Sequence, residues 1–282
     1  MNAYFRLMRF DKPIGIYLLL WPTLWGLFLA KRGFPDIDLL IIFTLGVILM
    51  RSAGCVINDF ADREIDKFVM RTKDRPLTSG EVSEKGALIV FSFLILMSFG
   101  LVLMTNFLTV QLSIVAVFLA TLYPFVKRWS NLPQFVLGSA FAMSIPMAFS
   151  ASLGFVPSNA WWIFLASILW TIVYDTIYAM SDRDDDIKIG VKSTAILFGK
   201  YDRLIIGLFQ VLFTATLFVI ADSFQLGLFF KISIFLSVLI MVYHQYLIKD
   251  REKSKCFKVF LNNHNIGAIL FFGLIIDLNI LF

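Results

Sequence analysis

The sequence is poor in the residues that build metal centres, disulfide frameworks and soluble surfaces. It has two cysteines and two histidines in 282 residues. Cys55 lies in an apolar run and Cys256 in a basic loop, far apart and without metal-ligand spacing, so packing is the expected role of each. Neither histidine has a Cys, His or acidic neighbour at the i+4 spacing of a helical zinc site, which argues against zinc. The chain also lacks polar stretches long enough for a soluble domain. Its N-terminal "MNAYFRLMRFDKPIG" lacks the short apolar core and small-residue cleavage site of a signal peptide, so the first apolar run is expected to be permanent. The net charge of +5 sits in loops between apolar runs, where it reads as membrane topology and not as nucleic-acid binding.

What is present is hydrophobic. The chain is 59% apolar, against roughly 45–50% for an ordinary soluble domain. Runs of about 20 apolar residues, the length that crosses a hydrocarbon core, are expected near 13–31, 38–58, 86–105, 107–126, 133–153, 160–180, 204–222, 226–247 and 263–281. Backbone polar groups must be satisfied internally in lipid, and runs without strand alternation satisfy them as helices. The expected fold is therefore an all-α integral membrane protein, one polytopic domain over 1–282. Of its 25 Lys and Arg residues, 21 fall in the N-terminal tail and in the loops after the second, fourth, sixth and eighth spans. The positive-inside rule makes that side cytoplasmic, with the N-terminus inside.

Acidic residues crowd the same side. In "CVINDFADREID", Asn58 precedes Asp59, Asp62 and Asp66 at i, i+3, i+7, so a helix continued past the bilayer boundary would stack three like charges on one face. A cation should sit among them, and magnesium suits oxygen ligands of one or two carboxylates plus substrate phosphates. The plainer reading is a polar loop with the acids capping helices or pairing with Arg63 and Lys67. Arg51 weighs against it, because an ionisable group inside an apolar span, on the face of Asn58, is a functional candidate by default. In "YDTIYAMSDRDDDIKIGVKST", Asp175, Tyr178, Asp182 and Asp186 form a second helical stripe, and Asp175 lies within an apolar stretch. Asp184 and Asp185 point elsewhere, toward solvent. Two carboxylate stripes facing each other could hold metal ions and a diphosphate, with Arg71, Arg75, Lys127, Arg128, Lys188 and Lys192 as candidate phosphate partners. Each of these cations could equally be an ordinary positive-inside residue. "GVKST" lacks the adjacent Gly-Lys and preceding strand of a phosphate loop.

At these residues the sequence closely resembles the UbiA family of intramembrane aromatic prenyltransferases. The family's NDxxDxxxD element stands as Asn58, Asp59, Asp62 and Asp66, and its second element as "YDTIYAMSDRDDD", with Asp182 and Asp186 as the DxxxD pair. "RLMRFDKPIGIYLLLWPTLW", "RTKDRPLTSG", "YPFVKR" and "DRDDDIKIGVKSTAILFG" look like the 4-hydroxybenzoate polyprenyltransferase branch of ubiquinone synthesis. The resemblance implies nine helices around a central cavity open sideways to lipid, and two magnesium ions bridging a polyprenyl diphosphate to both acidic elements. It places Tyr123 and Lys127 near the diphosphate, and Arg51 and Arg128 near the diphosphate or the aromatic acceptor. A bacterial-type inner membrane is the expected location. The implied chemistry is ionisation of the allylic diphosphate and attack by the ring of 4-hydroxybenzoate, with Asp62 among the metal-binding groups. Asp182 is the first candidate for the base, ahead of the diphosphate product, and Arg128 the first for the acceptor's carboxylate. Dihydroxynaphthoate, homogentisate or haem as acceptor, and cation transport as another class, are the rival readings. The polar run at 262–265 is expected to begin the last span on the cytoplasmic side.

Overall fold

The computed structural model describes residues 2–68 and 72–278, and every regular element among them is helical. A short helix, α1 (Ala3–Leu7), precedes α2 (Ile14–Lys31), α3 (Ile37–Asp62), α4 (Glu84–Val102) and α5 (Phe107–Val126). Then come α6 (Pro133–Ala142), α7 (Ser144–Leu153), α8 (Ala160–Ile189), α9 (Thr194–Phe198) and α10 (Asp202–Ser223). The chain continues through α11 (Leu228–Leu247), α12 (Lys253–Asn262) and α13 (His264–Asp277). Nine segments among the described residues are long and apolar enough to cross a membrane, with α6–α7, α9–α10 and α12–α13 each forming one. They agree with the nine apolar runs. The protein is an all-α integral membrane protein.

The helices differ sharply in how much of them the protein covers. Helix α8 is the axis of the bundle, 78% buried over its apolar window, and Trp170 and Tyr174 are fully enclosed between its neighbours. Helices α4 and α5 are only 17% buried and present rows of Leu, Ile and Phe outward. In water those rows would be costly, whereas lipid is their natural solvent.

Several boundaries differ from the sequence expectation, for identifiable reasons. The fifth span is broken between Ala142 and Ser144. Pro146 has no N–H to give the Ala142 carbonyl, and its ring crowds that group, so the helix turns a corner there. The last span starts ten residues earlier than expected, at Lys253. The polar run at 262–265 is consequently a corner inside the span and not its start. Asn263 donates back to the Val259 carbonyl at 2.8 Å, and Asn262 Oδ1 lies 2.8 Å from His244 Nε2 on α11. Residues 279–281 of the expected span lie outside the described residues.

Candidate active site

Helix α3 brings Asp59 and Asp62 to its last turn, both almost fully buried. The helix ends there. Asp66 therefore does not share a helical stripe with them, as its spacing predicted, but lies on a separate turn at Asp66–Phe68. A tertiary contact returns it to the cluster. Arg75 holds Asp66 at 2.7 Å and Asp59 at 3.0 Å, folding the loop after α3 back over the helix end. Burial acts to lower the pKa of Arg75, but Asp59 and Asp66 outweigh it and hold that pKa above its ordinary value. Arg9, in the N-terminal tail, completes the cluster by donating to both oxygens of Asp59 at 2.9 Å. The sequence reading used Arg9 only to orient the bundle, and nothing in local spacing connects it to a residue fifty positions away. Arg71 lies outside the described residues.

Helix α5 supplies the next cation. Tyr123 and Lys127 are one turn apart on it, so both point the same way. Lys127 pairs with Asp62, while Tyr123 is within electrostatic reach of Asp62, Asp175 and Tyr178. Arg128 follows on the next position, is exposed, and donates to the Ala61 carbonyl at 2.6 Å. It caps the end of α3 from outside the cluster. Lys192 anchors the loop after α8 to the same corner, its N–H on the Lys127 carbonyl at 3.0 Å and its ammonium on the Trp129 carbonyl at 3.1 Å. Lys188 is mostly exposed and lies 3.7 Å from Asp185. It takes no part in the cluster.

The second stripe is as the spacing predicted. Helix α8 runs unbroken to Ile189, so Asp175, Tyr178, Asp182 and Asp186 lie along one side of it. Gly190 closes the helix at φ 72°, a left-handed conformation glycine adopts without a Cβ penalty. Asp175 is buried, feels the charges of Arg51, Lys127 and Asp182, and accepts a hydrogen bond from Gln134. Asp182 and Asp186 are half buried about two and three turns further toward the helix end. Asp184 and Asp185 leave the stripe as expected, yet both lie near Lys253, at 3.4 and 3.5 Å. The stripes come within electrostatic reach of each other: Tyr178 of α8 is coupled to Arg75, and Tyr123 of α5 to both Asp62 and Asp175.

Gln134 is a further residue the sequence reading missed. It is buried at the start of α6, its Oε1 accepting from the Thr194 N–H at 3.1 Å while its amide donates to Asp175. The signal was a polar side chain just inside an apolar run, weak beside the aspartates.

Arg51 sits deeper. Its Nη1 donates to Cys55 Sγ at 2.8 Å, so Cys55 does more than pack. Its guanidinium lies flat against Gly15 of α2, where a Cβ would come within 2.1 Å of Nε. Arg51 and Tyr123 close one end of a cavity of about 390 Å³. Asn58 is half buried two turns nearer the acidic end. The rest of the cavity wall is nearly all apolar and reaches Ile42 and Phe43 on α3. That lining runs over thirteen residues from Ile42 to Gly54, about 18 Å from first to last along the helix. A compact cationic and phenolic end thus opens on a long greasy chamber.

The carboxylate oxygens at this end are hard ligands of the kind magnesium prefers. Asp62 Oδ1 is buried without a hydrogen-bond partner, although Lys127 holds its other oxygen. Among the described residues no three His, Cys, Asp or Glu side chains converge into a complete cage. A carboxylate set finished by substrate phosphates has that character, because magnesium binds poorly in all-protein cages.

The sequence model of the UbiA prenyltransferase family matches residues 19–272. The chain belongs to this family. Relatives within the UbiA family include the 4-hydroxybenzoate octaprenyltransferase of Vesicomyosocius okutanii subsp. Calyptogena okutanii (strain HA), 58% identical over 97% of this chain and 100% of its own. The 4-hydroxybenzoate octaprenyltransferase of Hahella chejuensis (strain KCTC 2396) is 54% identical over 98% of this chain and 92% of its own. Among solved structures, the apo UbiA homolog from Aeropyrum pernix K1 superposes with a TM-score of 0.82 at 26% identity, covering 93% of this chain and 97% of that one. The UbiA homolog from Archaeoglobus fulgidus bound to GPP and Mg2+ shares the fold at a TM-score of 0.72 and 17% identity, covering 95% and 99%.

Proposed function

We infer that this protein transfers a polyprenyl group from polyprenyl diphosphate to 4-hydroxybenzoate, at the ring position ortho to the hydroxyl, in ubiquinone biosynthesis. The observation that carries the reading is the meeting of the two acidic stripes at the mouth of an apolar chamber whose near end holds Arg51 and Tyr123. Full-length relatives above 50% identity bear that enzyme name. By the distribution of Lys and Arg the active side is cytoplasmic, and the membrane of this reading is a bacterial-type inner membrane. The whole of 1–282 acts as one membrane domain.

Asp59, Asp62 and Asp66 from the first element and Asp182 and Asp186 from the second would hold magnesium. When bound, the metal neutralises the diphosphate and stabilises charge growing on it as a leaving group. Magnesium and Cd2+ occupy UbiA homologs from Archaeoglobus fulgidus, and the oxygen-only donor set here favours magnesium. The chain's own residues do the rest. Lys127 and Arg75, already turned toward Asp62 and Asp59, lie where a second anion would draw them from carboxylate to phosphate. Arg128 and Lys192 hold the corner beside this mouth, Lys188 stands outside it, and Arg71 precedes Arg75 by four residues in the sequence. Asn58 sits between Arg51 and the acids and can turn its amide to either substrate.

Ionisation of the allylic carbon–oxygen bond leaves a carbocation that water would quench, so the apolar wall protects the reaction as well as housing the tail. Arg51 is the group best placed to hold the carboxylate of 4-hydroxybenzoate by a paired contact, because it faces the cavity while Arg128 is tied to a backbone carbonyl outside it. Tyr123, Tyr178 and Asp175 then surround the ring. Asp182, half buried on the stripe beyond Asp175, can take the ring proton after carbon–carbon bond formation. The test is transfer from a radiolabelled polyprenyl diphosphate in membranes carrying the chain, offered 4-hydroxybenzoate, dihydroxynaphthoate or homogentisate in turn. Product with 4-hydroxybenzoate supports the reading, and product with only another acceptor overturns it.

A further inference from the structure

The segment "GVKST" lacks the features of a phosphate loop, and the fold gives it another use. It leads from the end of α8 into α9 and touches three helices within three residues. The Lys192 N–H donates to the Lys127 carbonyl at the end of α5, at 3.0 Å. The Thr194 N–H donates to Gln134 Oε1 at the start of α6, at 3.1 Å. The Thr194 hydroxyl lies 2.7 Å from the hydroxyl of Thr176 on α8. Thr176 and Thr194 are fully buried and Gln134 nearly so. This polar seam runs directly behind Asp175, which is itself within electrostatic reach of Arg51.

The hydrogen bonds of the seam run in one direction. Thr194 is the first residue of α9, so its N–H has no partner inside that helix and can only donate. Gln134 therefore meets it with Oε1, which leaves the Gln134 NH2 group facing the other way. That group donates to Asp175, whose ionised carboxylate can only accept. Turning the amide over would set donor against donor and acceptor against acceptor, and both hydrogen bonds would be lost. Thr176 follows Asp175 in the chain, so the circuit closes from Asp175 through Thr176, Thr194 and Gln134 back to Asp175. Both threonines are β-branched and stiff at χ1. Their contact fixes where α9 begins relative to α8.

We propose that Thr194 and its partner Thr176 are positioning residues for prenyl transfer, fixing the Gln134 amide and through it the Asp175 carboxylate at the acceptor's end of the site. This rests on the prenyl-transfer reading above. The experiment is a double-mutant cycle of Thr194→Val with Gln134→Leu in membranes carrying the full chain. It reads turnover with 4-hydroxybenzoate per folded molecule and the KM for polyprenyl diphosphate. Valine keeps the branched shape and the backbone N–H and removes only the hydroxyl. Thr194→Val should lower turnover about fivefold, the scale of one lost hydrogen bond. The KM for the diphosphate should stay the same, because the link from Lys192 to Lys127 is made by backbone. Thr194→Ser, which keeps the hydroxyl, should retain turnover. In the double variant Thr194→Val should add nothing to Gln134→Leu, since it acts through that side chain. If Thr194→Val does not fold, Thr176→Val runs the same cycle from the other side of the pair. Losses that multiply in the double variant, or a rise in the KM for the diphosphate as large as the fall in turnover, would overturn the positioning role. No transfer to 4-hydroxybenzoate by the unaltered chain would overturn the underlying reading itself.

Discussion

Two buried aspartates, Asp62 and Asp202, sit near the ends of their helices and are paired with cations, yet they are built differently. Asp202 is saturated. Arg251 reaches both of its oxygens at 2.8 to 3.1 Å, Arg183 adds a contact at 2.5 Å, and the Arg203 N–H supplies another at 2.6 Å. Asp62 is held on one side only, by Lys127, and its Oδ1 is buried and unsatisfied. A carboxylate whose lone pairs are all used ties α8, α10 and the loop before α12 together. A carboxylate left half satisfied in a buried place costs the fold free energy, and the two acidic elements at the chamber's mouth give that cost a purpose. On the proposed reading, saturation separates a structural staple, Asp202, from a working group, Asp62, although both look alike as isolated acids in the sequence.

The largest effect that could break this contrast is on turnover. Asp62→Asn and Asp182→Asn should each lower prenyl transfer by at least about 10²-fold, the scale for losing a group that stabilises developing charge, while the purified proteins keep their unfolding temperature within a few degrees. Loss of folded protein in both would put Asp62 in the same class as Asp202. The reverse is expected of Asp202→Asn, which leaves Arg183 and Arg251 short of a partner. It should destabilise the protein by about 3 kcal/mol, the low end for breaking a buried pair because Arg251 is partly exposed. Thermal unfolding in detergent checks this, with transfer per folded molecule unchanged.

A smaller effect sharpens the contrast within the site. Gly15→Ala would place a methyl on the Arg51 guanidinium, and the KM for 4-hydroxybenzoate should rise about tenfold, a loss near the low end for a charged hydrogen bond. The KM for the diphosphate should move less, and steady-state kinetics with each substrate varied in turn reads the difference. Smallest of all, Gln134→Leu should cost severalfold in turnover, on the order of 1 kcal/mol for a weakened hold on Asp175, and Gln134→Glu should not restore it because Asp175 then faces a second carboxylate.

The bilayer made most of the architecture legible. Nine spans follow from apolar runs of membrane length, and the stripe Asp175, Tyr178, Asp182 and Asp186 follows from helical period because α8 never breaks. Arg51 was readable because an arginine within an apolar run is rare. Asp66 misled for the opposite reason. Its spacing fits a helix that stops four residues earlier, and what returns it to the cluster is Arg75, a contact made only after folding. Arg9 and Gln134 belong to the same class, placed by the packing of distant segments. The corner before Pro146 was written in the sequence, but hydropathy averages across it. The corner at Asn263 was hidden because a polar run inside a span and one at its start have the same composition.

Magnesium dependence of transfer tests the central claim most directly. Membranes carrying the unaltered chain, stripped of divalent ions by chelation and supplied with polyprenyl diphosphate and 4-hydroxybenzoate, should make product only as magnesium is restored, and Asp62→Asn should make none at any magnesium concentration. Full turnover without a divalent ion, or by Asp62→Asn, would contradict it.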